Sequence, residues 1–588
     1  MLGTRAGLIE AALGRISPET IIRNIRLVNV YSGEILEGQE VALWQGRIAF
    51  VGPGAPMAGP DTLVIDGQGM YLLPGFLDVH AHVDHLINPL SAAKRILPTG
   101  TTGMLTDTHD FCAALGAKGL ELLLEVTADI PFRYYFSAPA ANPPLPEFEG
   151  EDFFTKDMVA AFLSHDRVLA VSEVTSWGRL MTPEQDFVEK LVMAKELGKR
   201  IEGHMAGCSY EKMNALVACG FTSCHESITA EQALQRLRLG LHVILRHGSV
   251  RADMEPLARM ITDNPGLDTG RVLLSPDWFN PQDVLKHGYM NYLVAEAVKY
   301  GIPPVKAIQM VTINAAAYLG LTDEIGGIAP GRQADLLLVK DLQEPFPDLV
   351  LIGGKTVAQQ GRLLAVFPDF PEVSQLEWRP GRKPDRPARA DDFEIISESA
   401  HPEIPCMHMI NKTITKVMVK PLQVCDGRID ISSDPELLKV SIWSESNRGW
   451  VTAVLSGFGA KVGAIASTIC HETHNALVVG RCDRDMAMAV NRMLEIGGGI
   501  VVVQEGRIIC ELPLTVGGMI STASFEDVAR GYCEINDYLW ETGCPWDDPI
   551  LSLSFLSFSG LPYVRITPKG IVDVLKKEII FPNNSGGV

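Results

Sequence analysis

The segment Pro74-Gly75-Phe76-Leu77-Asp78-Val79-His80-Ala81-His82 ends an apolar run with two histidines that are one residue apart. In a strand, residues i and i+2 point to the same side. His80 and His82 would therefore present two imidazoles on one face, at the carboxyl end of a strand. Imidazole is a common ligand of divalent transition metals, and a strand holds it rigidly. The segment predicts part of a metal site whose other ligands must come from elsewhere in the chain.

The chain from Leu72 to about residue 320 alternates short apolar runs with amphipathic stretches. Eight of these runs are candidate strands: Leu72–Val79, Thr102–Thr106, Phe132–Phe136, Val168–Val171, Ile201–His204, Thr222–His225, Val243–Arg246 and Val272–Ser275. Eight strands that alternate with helices predict an α/β fold, a (β/α)8 barrel. In such a barrel the catalytic groups lie at the carboxyl ends of the strands.

Residues of the types that bind metals follow the predicted strands at that end. Besides His80 and His82 they are Asp107, His109, Glu173, His204, His225 and Asp277. A lone histidine at a strand end is usually a structural residue, but a series of such residues at successive strand ends is difficult to obtain by chance. Four histidines and two carboxylates can hold two divalent ions, with one carboxylate bridging them. Such a pair of ions activates water for hydrolysis near neutral pH.

The two flanks of the predicted barrel, residues 71–324, indicate further domains. Residues 1–70 contain short strands and turns, and residues 325–365 return to β character, so we expect a small β-sandwich domain built from both flanks. Residues 366–392 are rich in Pro, Arg and Asp, which is typical of a linker. Residues 393–588 are predicted to form an extra C-terminal α+β domain.

Composition argues against several classes of partner. The chain has 51 basic and 71 acidic residues, a formal net charge of −20, which argues against nucleic acid or an anionic membrane as the main partner. No apolar run approaches the roughly 20 residues of a membrane span, and residues 1–17 have no signal-peptide core. The eleven cysteines include no C-x-x-C pair, which predicts reduced thiols and a cytoplasmic location. We expect a homodimer, as is common among large cytoplasmic enzymes.

The motifs resemble those of the amidohydrolase superfamily. Residues 74–82 resemble its first metal motif, and residues 328–336 resemble its companion β-domain. Within the superfamily the chain is most similar to bacterial adenine deaminases. The C-terminal domain is the most specific part of this resemblance because other amidohydrolases lack it. Its matching segments are Gly457–Gly459, Ala464–Ser467, His471–Asn475, Asn491–Gly499 and Leu551–Leu556.

The resemblance implies a reaction and assigns residues to it. The family hydrolyses the 6-amino group of adenine to give hypoxanthine and ammonia, in adenine catabolism and purine salvage, with two Mn²⁺ or Fe²⁺ ions per chain. The implied metal ligands are His80, His82, Glu173, His204, His225 and Asp277. Among them, Glu173 would bridge the two ions and Asp277 would also accept the proton of the attacking water.

Further residues are expected around the metals. We expect the catalytic residues to be Asp277, Glu226 and His109. We expect the substrate-binding residues to be Asp84, His85, Asp107, Asp110 and Trp278. Other interpretations stay open: Asp107 and His109 could orient a ligand or the substrate, and Glu226 could be only a carboxylate at a helix N-terminus.

The chain departs from the family pattern beside these ligands. The family's His-Ile-Glu-Ser is His82-Val83-Asp84-His85 here, and its Asp-Pro-His-Glu is Asp107-Thr108-His109-Asp110. A change from Glu to Asp moves a carboxylate back by about one methylene, and Trp278 replaces a charged arginine by an aromatic wall. A related aminopurine, another N-heterocycle or cyclic amide, and a non-catalytic metal-binding role therefore remain as alternatives.

Two further histidines, His471 and His474, lie in the C-terminal domain. The sequence places no Cys or His near them at a spacing suitable for zinc. We interpret this segment as a polar loop packed near the mouth of the barrel, and its role stays open.

Overall fold

The computed structural model describes residues 2–371, 373, 376, 378 and 381–582. Six residues of the predicted linker, 372, 374, 375, 377, 379 and 380, lie outside the described residues, as do the last six residues of the chain. Among the described helices none is both long and apolar enough to cross a membrane.

Eight short parallel strands form the centre of the first half of the chain. They are Phe76–Ala81, Thr101–Thr106, Arg133–Ala138, Val168–Val174, Arg200–Gly203, Ser223–Cys224, His242–Arg246 and Val272–Ser275. The first five form one parallel sheet and the last three form another. A parallel bridge between Ala81 and Asp277 connects the first strand with the end of the eighth. The strands are buried and apolar, as is usual where helices cover a parallel sheet.

Helices fill most of the connections between these strands, and four more follow the eighth strand. They are Pro89–Ile96, His109–Leu115, Ala117–Val126, Pro146–Glu149, Lys156–Leu163, Gln185–Glu196, Tyr210–Cys219, Ala230–Arg238, Met254–Thr262, Pro281–His287, Met290–Lys299, Pro304–Met310 and Ile313–Leu319. Several begin with a side-chain cap; the Thr229 hydroxyl, for example, accepts the backbone N–H of Gln232. These connections return the chain so that every strand points the same way and all the carboxyl ends meet at one edge.

The prediction of one continuous strand over Leu72–Val79 is wrong. The chain leaves one sheet at Pro74 and enters another at Phe76. Gly75 donates its N–H to the carbonyl of Asp335 at 2.9 Å, and a Cβ at this position would overlap the Thr102 side chain. A residue without a side chain is therefore required where the two sheets meet.

A second sheet combines strands from both flanks of the parallel strands. Its members are Thr20–Asn29, Glu34–Trp44, Arg47–Gly52, Leu63–Asp66, Tyr71–Pro74, Leu336–Val339, Pro347–Ile352, Lys355–Gln359 and Arg362–Leu363. The two flanks meet in the antiparallel pair of Tyr71–Pro74 with Leu336–Val339. The N-terminal helix, Leu2–Ala12, packs beside this sheet.

The C-terminal part is built on an eight-stranded sheet. Its strands are Glu403–Met409, Thr415–Pro421, Leu437–Ser444, Gly449–Ser456, Ala464–Ser467, Leu477–Gly480, Gly499–Gln504 and Arg507–Pro513. The helices of this part are Asp483–Glu495, Phe525–Glu541 and Pro549–Ser554. A three-stranded sheet follows, over Val564–Thr567, Gly570–Asp573 and Glu578–Pro582, and Gln423–Cys425 pairs with Arg428–Asp430. Apolar side chains of the Asp483–Glu495 helix pack against the large sheet.

The C-terminal part lies against the carboxyl ends of the parallel strands. The two-residue strand Ile520–Ser521 pairs in parallel with Leu86–Ile87, which follows the first parallel strand. Asn142 donates its amide N–H to Glu472 Oε2 at 2.7 Å, and Asn280 donates to Asp548 Oδ2 at 2.9 Å. These contacts place the C-terminal residues next to the predicted site.

Candidate metal centre

The carboxyl ends of the parallel strands bring all six predicted metal ligands into one cluster. The six side chains are those of His80, His82, Glu173, His204, His225 and Asp277, each exposed by no more than 10%. Asp277 Oδ1 lies 3.3 Å from Nε2 of His80 and 3.3 Å from Nε2 of His82. The rings of His80 and His225 stack with their centroids 4.2 Å apart. Residues distant in sequence thus form one compact group of nitrogen and oxygen atoms.

Glu173 lies between the two pairs of histidines. Its Oε1 is 3.5 Å from His82 Nε2. Its Oε2 is 2.8 Å from His204 Nδ1 and 3.2 Å from His225 Nε2. Because its two oxygens face different imidazoles, this carboxylate has the position of a bridge between two cations.

The cluster contains buried polar atoms without hydrogen-bond partners. Among the described residues, Nε2 of His80 and Nε2 of His204 have none. A buried polar atom without a partner costs about 1–3 kcal/mol. Donor atoms about 3 Å apart are also spaced like the ligands of one ion that is held at roughly 2.0–2.2 Å. The imidazoles and carboxylates therefore fit divalent transition-metal ions.

The charges within the cluster keep its carboxylates ionised, and the same carboxylates raise the pKa values of His80, His82 and His204 against the effect of burial. Burial opposes ionisation of Asp277, but Arg246 and His80 outweigh it and hold the pKa of this carboxyl well below its usual range. Burial likewise opposes ionisation of Glu173, whose pKa is nevertheless held well below its usual value by His204. Burial and the charge of His80 lower the pKa of His225 to about 4. The ionised carboxylates and the neutral imidazole of His225 can coordinate a cation, whereas His80, His82 and His204 would release protons when metal binds.

Glu202 orients His80, and sequence analysis missed it. Glu202 Oε2 lies 3.2 Å from His80 Nδ1, and Glu202 Oε1 accepts the Tyr318 hydroxyl at 3.1 Å. With Nδ1–H donated to this carboxylate, Nε2 of His80 faces the cluster. Glu202 lies two residues before His204 and so faces the same side of its strand, which is the signal that could have revealed it.

Arg246 is a second residue that sequence analysis missed. Its Nη1 lies 2.6 Å from Asp277 Oδ2 and 2.6 Å from Glu226 Oε1, and all three side chains are buried. Glu226 also faces Arg251, with Oε2 3.2 Å from Nη1. Burial opposes ionisation of Glu226, but Arg246 outweighs it and lowers the pKa of Glu226 to about 2. Arg246 ends the seventh predicted strand, the position at which the other site residues were sought.

Asp107 and His109 lie next to the cluster, and Asp107 contacts both the backbone of Glu173 and the ring of His109. Asp107 Oδ2 accepts the backbone N–H of Glu173 at 2.8 Å, and Asp107 Oδ1 lies 2.9 Å from His109 Nδ1. Asp84 Oδ1 lies 3.7 Å from His82 Nδ1. Asp110 faces a different set of histidines, His85, His471 and His474. The polar loop predicted at His471 and His474 thus reaches residues at the strand ends.

A cavity of about 1050 Å³ opens above the cluster. Its floor includes His82, Glu173, His204 and Asp277, and Glu226 also lines it. Of the residues predicted to bind substrate, His85 and Trp278 line the cavity, whereas Asp84, Asp107 and Asp110 are buried and are not among its lining residues. The Trp278 indole N–H is buried and has no hydrogen-bond partner among the described residues. The C-terminal part supplies apolar wall residues, Leu551, Phe555 and Phe558.

Two sequence families match the chain. Residues 71–357 match the family described as amidohydrolase family, and residues 412–578 match the adenine deaminase C-terminal domain. The adenine deaminase of Moorella thermoacetica is 33% identical over 581 residues, which is 97% of each chain. The adenine deaminase of Cenarchaeum symbiosum is 34% identical over 579 residues, covering 97% of this chain and 94% of the relative. Among solved structures, a β-aspartyl dipeptidase of Fervidobacterium islandicum matches 60% of this chain and 99% of its own, with a TM-score of 0.46 and 16% identity.

Proposed function

The chain belongs to the adenine deaminase family of the metal-dependent amidohydrolases. We propose that it converts adenine and water to hypoxanthine and ammonia. The reaction would take place at the cluster that contains His80, Glu173 and Asp277. The similarity to adenine deaminases extends over nearly the whole chain and includes the C-terminal domain that lines the cavity. The observation that carries the proposal is the convergence of four histidines and two carboxylates at the floor of this cavity.

The family implies a divalent metal, and we propose two ions per chain, Mn²⁺ or Fe²⁺. His80 and His82 would hold one ion with Asp277, and His204 and His225 would hold the other. The position of Glu173, with Oε1 toward His82 and Oε2 toward His204 and His225, supports a bridging role. When bound, such ions act as Lewis acids and lower the pKa of a water molecule toward neutrality.

The protein's own residues would then place the purine and move its protons. Asp277 keeps Oδ1 toward His80 and His82 while Arg246 holds Oδ2, so Oδ1 is proposed to take the proton of the attacking water. Glu226, held as a carboxylate by Arg246 and Arg251, is proposed to accept an N–H of the purine.

Two residues of the cavity wall would orient the ring. The free indole N–H of Trp278 is proposed to donate to a ring nitrogen. His85, also at the wall, would contact the substrate edge. Asp84, Asp107 and His109 are proposed to act as positioning residues, because each contacts His82, Glu173 or another site residue and none is among the residues that line the cavity.

We also propose that the two parallel sheets close into the predicted (β/α)8 barrel. The bridge from Ala81 to Asp277 supports closure between the first and eighth strands. The antiparallel pair of Tyr71–Pro74 with Leu336–Val339 supports a small β-domain made from residues 1–70 and 325–365, with the C-terminal domain beginning near residue 393.

The test of the reaction is ammonia release from a substrate panel. The full-length protein is loaded with Mn²⁺ or Fe²⁺ and given adenine, other aminopurines, cytosine and a hydantoin. We expect adenine to release ammonia, with hypoxanthine formed in equal amount. Turnover of the hydantoin without ammonia from any purine would contradict the proposal.

Replacing Glu202 by glutamine is expected to weaken metal binding roughly 10–100-fold. The amide can no longer accept a charge-assisted hydrogen bond from His80 Nδ1, so Nε2 is less well fixed toward the cluster. The metal-stripped protein is titrated with metal, and the amount of bound metal is measured at each concentration. Tyr318→Phe removes the hydroxyl that contacts Glu202 Oε1, Ser223 and Thr222 but leaves Glu202 Oε2 beside His80, so it should have a smaller effect. Equal metal affinity in E202Q and the wild type would show that Glu202 does not orient His80.

A further inference from the structure

A second set of side chains converges on Asp110, next to the cluster described above. Asp110 Oδ2 lies 3.0 Å from His85 Nε2 and 2.9 Å from His471 Nδ1. Asp110 Oδ1 lies 2.8 Å from His474 Nε2. Asp110 and His85 come from the loops after the first two parallel strands, and the other two histidines come from the C-terminal part. His109 Nε2 also lies 3.4 Å from Asp110 Oδ1, so four imidazoles from two regions of the chain surround one carboxylate.

These atoms are buried but do not satisfy one another. The side chain of Asp110 is fully buried, that of His474 is 1% exposed and that of His85 is 5% exposed. Nevertheless His85 Nε2, Asp110 Oδ2 and His474 Nε2 have no hydrogen bond of acceptable geometry among the described residues. A buried polar atom without a partner costs about 1–3 kcal/mol, and three such atoms within one cluster therefore favour a ligand that would pair with them.

The donor set matches one class of ligand. Three imidazole nitrogens and one carboxylate oxygen are typical ligands of a tetrahedral Zn²⁺, held at about 2.0–2.2 Å. Tetrahedral ligands at that radius lie about 3.3–3.6 Å from each other, and the separations to Asp110 are 2.8–3.0 Å, so the side chains would move apart by roughly half an ångström to admit the ion. His85 and His471 line the cavity, whereas Asp110 and His474 are buried and do not line it, so an ion fits between the four side chains better than an organic ligand.

We propose that His85, Asp110, His471 and His474 form a third metal site, for Zn²⁺ or a similar divalent ion. The site shares no ligand with the two-ion cluster, although His85 also lines the cavity in which the substrate is proposed to bind. Four protein ligands complete a tetrahedral shell and leave no position for substrate, which is typical of a structural ion. The ion would fix the loop of residues 471–474 to the edge of the parallel strands.

The backbone of that loop is consistent with such a role. Glu472 and His474 have φ angles of 76° and 49°, a region that residues other than glycine rarely adopt. Glu472 also donates its N–H to Asp110 Oδ1 at 3.0 Å. A metal bond to His474 would stabilise this conformation, which costs free energy in an unrestrained loop.

The proposal is tested by counting metal ions in single variants. The full-length protein is stripped with a chelator, reloaded with Zn²⁺, freed of excess metal and analysed for zinc per chain. We expect His474→Asn and His471→Asn each to hold one ion fewer than the wild type. His401→Asn, which changes an exposed histidine of the C-terminal part, should hold as many ions as the wild type. Because the readout is a difference of one ion, failure of the two-ion proposal would not obscure it.

A measurement on the wild type guards against variants that fold poorly. Crystals of the zinc-loaded protein are examined for anomalous scattering at the zinc absorption edge. We expect a peak between Asp110 and the three histidines. Equal zinc content in the wild type and the two variants, or the absence of that peak, would overturn the proposal.

Discussion

Glu173→Gln is expected to lower kcat/KM for adenine by roughly 10³-fold or more. A two-ion site is expected to stabilise the transition state by several kcal/mol. A loss of about 4 kcal/mol of this stabilisation lowers the rate by roughly 10³-fold. The glutamine keeps the shape of Glu173 but offers one oxygen and no charge to the four histidines that surround it. Ammonia release and bound metal, measured on the same preparation, should both fall.

The chain offers a matched control in another buried glutamate. Burial raises the pKa of Glu149 to about 8, so this residue is protonated at neutral pH and an amide imitates it. Glu149 accepts hydrogen bonds from the backbone of Leu145 and the hydroxyl of Ser559. Glu149→Gln should therefore leave activity and metal content close to those of the wild type. If E173Q behaved like E149Q, Glu173 would not bridge two ions.

Arg246→Met is expected to destabilise the metal-free protein by about 3–5 kcal/mol at neutral pH, because removal of one partner leaves a buried charge without compensation. Arg246 pairs with Asp277 and Glu226, and all three side chains are buried. The free energy of unfolding, measured with urea at several pH values, provides the test. Arg246→Lys keeps a positive charge and should therefore lower the free energy of unfolding by less than Arg246→Met.

The pH dependence of this effect has a defined sign. Asp277 and Glu226 have folded-state pKa values below their unfolded ones, about 2 for Glu226. Their ionised forms therefore stabilise the fold above pH of about 4, and this contribution is lost as the pH falls through the folded-state pKa. Without Arg246 both pKa values rise, so the acid-induced loss of stability should begin at a higher pH. If the free energy of unfolding began to fall at the same acidic pH in R246M and in the wild type, the role given to Arg246 would be contradicted.

The predicted positions of the site residues came from one rule, that functional groups follow parallel strands. The rule brought His80, Glu173 and Asp277 together although they are far apart in sequence, because every strand of this set points the same way. The rule also depended little on exact strand limits: the first strand was predicted over Leu72–Val79, whereas the observed strand is Phe76–Ala81 and ends two residues later.

The remaining parts of the site could not be found by that rule. Glu202 lies within a strand, where a buried carboxylate is usually unfavourable. Its role in orienting His80 can be recognised only when the structure places the two side chains next to each other. Arg246 looked like the polar end of an apolar run. His471 and His474 have their partner Asp110 some 360 positions earlier in the chain, and no local spacing reports a contact over such a distance.

The position of the C-terminal wall also has a consequence for the nascent chain. The last parallel strand, Val272–Ser275, leaves the ribosome long before the Pro549–Ser554 helix and Phe558 that line the cavity. At ordinary rates of translation the delay is on the order of tens of seconds. Throughout that interval the carboxylates and imidazoles at the strand ends face solvent, because the apolar side chains of the C-terminal part do not yet cover them. If the parallel strands fold during synthesis, the proposed metal ligands at their ends would face open solution before the C-terminal part covers them.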